Sequence, residues 1–189
     1  MENGKKVICQ MSCGLLGEGS ENGVGADKKA LQAAITALHD LIPSNDDHIE
    51  HQGLYLIAVS WTKTVVVKAD GERESASPSP AVRSAFAELR RVMYKPGVGS
   101  WFSVMMTVWA DGHAKTEFNY DQDPVWGVRP GAISFITDLQ TYPIDEENRP
   151  EWLKKYVAEG IEDLHKYGKK SYPPWLKRMI EAGNKPSWL

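Results

Sequence analysis

Two carboxylates one residue apart, Asp121 and Asp123, close a strand-like run that stops at Pro124, and a second acidic run, Asp145, Glu146 and Glu147, follows further along. Carboxylates at a strand end can hold a hard divalent cation, and a metal there would generate a nucleophilic water for hydrolysis. The remaining parts of such a site are missing: there is no Glu-x-Lys arrangement, no His-x-His and no Gly-x-Ser-x-Gly elbow. The pair before a proline therefore reads first as a turn. A small metal-dependent hydrolase using Asp121 and Asp123 stands as the alternative function.

Other reactive residues are as sparse. Cys9 and Cys13 are the only cysteines, and His39, His48, His51, His113 and His165 lack the paired spacing that would complete a zinc site, so both thiols are read as ordinary. Gly14, Gly17, Gly19, Gly23 and Gly25 invite comparison with a phosphate-binding loop. No Gly-Lys-Ser/Thr follows, the GxGxxG spacing is absent, and Glu18 and Glu21 would repel phosphate, so the segment is expected to be a mobile loop. No cofactor, metal or catalytic residue is expected.

Tryptophan and charge point elsewhere. The chain has seven tryptophans, and Trp126 lies in an acidic, proline-flanked loop. Between Asp111 and Glu151 stand Asp111, Glu117, Asp121, Asp123, Asp138, Asp145, Glu146, Glu147 and Glu151 against Lys115, Arg129 and Arg149, a local balance of -6 in a chain whose total is -3. Aromatic anchors ringed by acids suit a protein-binding surface aimed at a basic partner. Asp121, Asp123, Trp126, Asp145, Glu146 and Glu147 are the candidate contacts.

These residues must be positioned by a scaffold, and its centre is legible. Gly99 to Pro124 holds two alternating runs joined at Asp111-Gly112, a strong hairpin signal. A two-residue loop would mix buried and charged groups on both faces. A three-residue loop, Ala110-Asp111-Gly112 with Gly112 left-handed in a bulge, pairs Phe102 with Tyr120, Val104 with Phe118 and Met106 with Thr116, making one face apolar. Trp101, Ser103, Met105, Thr107, Trp109, Lys115, Glu117 and Asn119 fall on the other, half-wet face.

Around the hairpin, Lys5 to Met11 reads as a short strand and Asp27 to Ile42 as an amphipathic helix capped by Asp27 and stopped by Pro43. Ser44 to Gly53 reads as polar loop, Leu54 to Trp61 and Thr64 to Lys68 as strand, and Asp70 to Pro80 as loop. A helix over Ala81 to Tyr94 turns Val82, Phe86, Leu89 and Met93 inward and Arg83, Arg90 and Arg91 largely to solvent. A short helix is expected over Gly131 to Tyr142. Pro150, Pro173 and Pro186 each precede a Trp-Leu pair by two residues, Trp152 and Trp175 being read as anchors of tail helices. The fold expected is α+β: a single mixed or antiparallel sheet with a central hairpin, flanked by amphipathic helices. Residues 1–124 form the core domain, with a mobile Gly-rich segment at 14–25, and residues 125–189 form a helical C-terminal extension packed on it.

With 189 residues and 42% hydrophobic content the chain can bury its own core. Its mild net charge gives no global reason to expect nucleic-acid or membrane binding, and the N-terminal apolar run is too short for a signal peptide, so a cytoplasmic location is expected.

The hairpin also carries a family likeness. Trp101, the strand Val104 to Val108, Asp111-Gly112 and Phe118-Asn119-Tyr120-Asp121 resemble the YezG-like immunity proteins. Element order agrees from about Asp27 to Pro124, including the strand Trp61-Thr62-Lys63-Thr64-Val65-Val66-Val67. The resemblance implies an antitoxin that binds and blocks a cognate secreted polymorphic toxin, often a nuclease domain, by occluding its active site. It implies no catalytic residues. A protein-binding adaptor without any toxin is the remaining alternative.

Overall fold

The computed structural model describes residues 6–11 and 24–186. Strands β1 (Lys6–Met11), β2 (Asp46–Tyr55), β3 (Ser60–Lys68), β4 (Arg73–Ala76), β5 (Ser103–Trp109) and β6 (Ala114–Asn119) form one sheet in the order β1-β6-β5-β2-β3-β4. Every pairing is antiparallel, which removes the mixed-sheet option. The fold is α+β, and the β5–β6 hairpin lies inside the sheet with a neighbour on each side.

Its turn has the expected geometry. Trp109 N–H donates to His113 O at 3.0 Å and Gly112 N–H to Trp109 O at 2.9 Å, with Gly112 at φ +86°, so Ala110 to Gly112 is a three-residue loop ending in a bulge. Val104 faces Phe118 and Met106 faces Thr116; the ladder ends at Ser103 and Asn119, before Phe102 and Tyr120. Register then sorts the sheet into two faces. Ile49, Val66, Val104, Met106, Val108, Ala114 and Phe118 are buried beneath α1 (Val24–His39) and α2 (Pro80–Val92) with Leu31, Ala34, Leu38, Val82, Phe86 and Leu89. Ser79 caps α2 by accepting from Val82 N–H, and Asp27 lies in the first turn of α1 rather than at its cap.

Several expectations are corrected. Trp101 is fully buried rather than half-wet, against Tyr55 and Phe118, while Phe102 turns to the opposite side against Trp152. Strict alternation holds only from Ser103, where β5 begins, and the bend before it exchanges the two rings. The polar stretch from Asp46 is strand β2: His51 takes an inward position because Thr64 Oγ1 (2.8 Å) and Tyr55 OH (3.2 Å) engage both ring nitrogens. A short edge strand, β4, occupies part of the Asp70 to Pro80 loop, pairing with Thr64 to Val67.

Helices α3 (Ile133–Thr141), α4 (Glu151–Tyr167) and α5 (Pro174–Glu181) close the end of the sheet where β2 leaves and β5 enters. Leu56 and Phe102 share a cluster there with Phe135, Ile144 and Leu153. Trp152 donates its indole N–H to Asp121 O at 2.7 Å and Trp175 to Thr137 Oγ1 at 3.1 Å, so both tryptophans anchor tail helices as expected. The third Trp-Leu pair, Cys13 and most of the Gly-rich segment lie outside the described residues; Gly25 itself belongs to α1.

Arg90 corrects the picture of a solvated basic helix face. Its side chain is buried, with its two terminal nitrogens at 2.7 Å from the two oxygens of Asp138, and its Nε donates to Trp101 O. Asp138 Oδ1 also accepts from Ile57 N–H at 2.7 Å, and the guanidinium lies 4.6 Å from the centre of the Tyr142 ring. One ion pair thus fastens α2, the β2–β3 turn, the approach to β5 and α3.

Candidate partner-binding face

The six predicted contact residues fall into two groups. Asp123 accepts from the Tyr156 hydroxyl at 2.7 Å, which holds that phenol above its ordinary range, and Asp121 is tied to α4 through its carbonyl. Asn119 Oδ1 accepts from the backbone N–H of Asp121 and of Gln122, fixing the exit from β6. Trp126 is half-buried in a T-shaped contact with Phe135, so it supports the loop from inside rather than standing out as an anchor.

The second group sits on a different foundation. Asp145 N–H donates to Gly97 O at 2.8 Å and Asn148 Nδ2 to the same oxygen at 3.0 Å, placing Asp145, Glu146 and Glu147 on the loop that follows α2. Gly97 is required there: its φ is +74°, and a Cβ would fall on the Asp145 carboxylate. Asp138, counted in the acidic run, is neutralised inside the protein by Arg90. Among the described residues no three of His, Cys, Asp and Glu form a group able to hold a metal ion.

The structure presents something the acidic pattern did not single out. The face of the sheet away from α1 and α2 carries, row by row across β3, β2, β5 and β6, Trp61-Leu54-Ser103-Asn119, then Lys63-Gln52-Met105-Glu117, then Val65-Glu50-Thr107-Lys115. Met105 is 58% exposed in the middle of this face. Beside it the loop after β6 raises Val125 and Val128, 86% and 87% exposed, and passes close over Trp61, where a Cβ on Gly127 would lie 3.4 Å from the indole nitrogen.

Ile57 and Val59 stand exposed in the turn leading to Trp61. Six of the eight large apolar side chains exposed among the described residues belong to the open face, the loop after β6 and the β2–β3 turn, where Ile57 and Val59 border a separate hollow with Arg83, Ala87 and Tyr142. The rim of the open face is polar: Lys63, Gln52, Glu117, Asn119, Gln122, Asp123 and the Arg129–Glu159 pair. The cue in the sequence is apolar residues where turns are ordinarily polar, Ile57-Ala58-Val59 and Val125-Trp126-Gly127-Val128.

Among the described residues no helix is long and apolar enough to cross a membrane. The chain matches no protein-family model and no curated protein sequence.

Proposed function

We propose that this chain works by binding: it is an immunity protein that captures a cognate toxin domain and covers that domain's active site. The observation that carries the reading is the apolar end of the open sheet face, centred on Met105, Trp61, Val125 and Val128 and rimmed by polar groups. Exposed apolar groups with a polar rim are the anatomy of a protein interface rather than of an enclosed reaction site. The hairpin residues that resemble the YezG-like immunity proteins form the middle of the same sheet. Acidic groups along its edge, Asp121 and Asp123 among them, would speed encounter with a basic toxin.

The test is co-expression with the open reading frame beside its gene. Rescue of growth and a co-purifying complex are expected, and a toxic neighbour left unneutralised overturns the reading. Association rates with Asp121→Asn/Asp123→Asn, measured against ionic strength, are expected to fall and to lose part of their salt dependence; an unchanged rate and slope removes both residues from the encounter surface.

A further inference from the structure

Strand β3 begins before its outer neighbour reaches it. Leu56 N–H donates to Val59 O at 2.8 Å and Val59 N–H to Leu56 O at 3.3 Å, and this bonded pair sets the alternation of the β2–β3 ladder. Trp61, Lys63 and Val65 therefore bond to β2, while Ser60, Thr62, Thr64 and Val66 direct N–H and C=O to the outer edge. β4 pairs with Thr64 to Val67 alone, which leaves the edge bare at Ser60 and Thr62 among the described residues. The chain after β4 does not cover it. Pro78, which the register would set opposite Thr62, has no N–H and its carbonyl accepts from Arg83 Nη1 at 2.7 Å, while Ser79 caps α2.

Helix α2 runs alongside this edge. Tyr55, opposite Ser60, stacks on Phe86 of α2, so the side chains of Ser60 and Thr62 point to the helix side of the sheet. A hollow of about 240 Å³ lies there, with Ile57, Val59 and Ser60 on the strand side and Arg83, Ala87 and Tyr142 across from them. Arg90 also borders it but is neutralised by Asp138. Arg83 forms no ion pair among the described residues.

We infer that the bare edge of β3 takes up a short extended segment of a partner protein as an added antiparallel strand, with an acidic residue opposite Thr62 and an apolar residue opposite Ser60. An extended backbone is the group that supplies donors and acceptors in ladder register together with a side chain for the hollow. Directly opposed residues share a face, so the apolar side chain enters beside Ala87 and the acidic one meets Arg83, one turn earlier on α2. A second copy of this chain is the poorer match: pairing Ser60 with Thr62 of the copy brings the copy's β4 against the Ile57 to Val59 turn. The segment binds at the sheet edge and not on the open face, so its test is independent of the antitoxin reading.

The full chain is titrated with the peptide acetyl-Thr-Glu-Val-Leu-Val-amide, following backbone amide shifts and hydrogen exchange by NMR. Shifts centred on Ser60, Thr62 and Ala87 are expected, with slower exchange of the Ser60 and Thr62 N–H groups. Methylating the leucine nitrogen, the donor to Ser60 O, is expected to weaken binding about fivefold or more, and replacing the glutamate by lysine about two- to fivefold. Thr62→Pro is expected to weaken binding about fivefold or more without loss of fold, because the N–H at 62 faces outward and an edge proline there breaks no ladder bond. Ala87→Glu, at an exposed helix position, is expected to weaken binding by blocking the hollow, and it decides the matter should the proline variant not fold. Equal affinity for the N-methylated peptide, shifts absent or centred elsewhere, or Ser60 and Thr62 amides already protected in the free monomer overturns the inference. Protection that grows with protein concentration without peptide assigns the edge to a second copy and overturns it equally.

Discussion

At the scale of single residues, the buried pair Arg90–Asp138 is costly to break. Removing one partner leaves a desolvated charge, a loss of about 3–5 kcal/mol in comparable sites. Asp138→Ala is therefore expected to lower unfolding free energy by about that much, more than any substitution of the exposed Asp145, Glu146 or Glu147, as measured by urea denaturation. A fall of less than about 1 kcal/mol would deny the pair its fastening role. Arg90→Met/Asp138→Leu is expected to recover part of the loss, leaving the cost of the freed Ile57 N–H and Trp101 carbonyl.

His51 gives a second residue-level outcome. Burial pushes its pKa down to about 4 from an ordinary 6.5, so the folded protein holds it neutral while the unfolded chain takes up a proton across that interval. Because the unfolded state binds more protons there, stability is full above pH 6.5 and declines as pH falls toward 4, by ~3 kcal/mol in all. Denaturant midpoints measured across this range are expected to slope accordingly. In His51→Gln the slope should flatten by about one proton's worth; an unaltered slope would assign the acid sensitivity to other groups.

At the scale of elements, the contact of α3 with α4 turns on Gly160. A Cβ there would lie 3.0 Å from the Ala132 carbonyl carbon and oxygen and 2.8 Å from Ile136 Cδ1. Alanine favours a helix interior by ~1 kcal/mol over glycine, whereas overpacking of this kind costs ~1–3 kcal/mol, so Gly160→Ala is expected to lower the melting temperature despite its better propensity. A rise would show that the helices separate without cost. The same level explains what the sequence made legible. The hairpin register was readable because Gly112 and the alternation of Val104, Met106 and Val108 agree, and α2 was readable from its apolar spacing. Arg90 was not, because its partner Asp138 is remote in sequence and only the tertiary fold brings a carboxylate to it. Strand β2 was hidden for a related reason: His51 resembles a surface residue until Thr64 and Tyr55 satisfy it. Of the candidate face, the acids of the loop after β6 are legible in the sequence, whereas the exposure of Val125, Val128 and Met105 is set by the tertiary fold and is not.

At the scale of the whole molecule, two helices bury one sheet face, three more close one sheet end, and an apolar surface remains beside the loop from Asp121 to Arg129. This surface is the proposed binding site of the partner. The most direct measurement is the protection given by Val125→Asp/Val128→Asp when co-expressed with the open reading frame beside its gene, alongside thermal melting of the variant. Both side chains are almost wholly exposed, so the melting temperature should be close to that of the parent, whereas a charge at an interface centre is expected to abolish growth rescue and co-purification. Full rescue by a folded Val125→Asp/Val128→Asp protein would contradict the account.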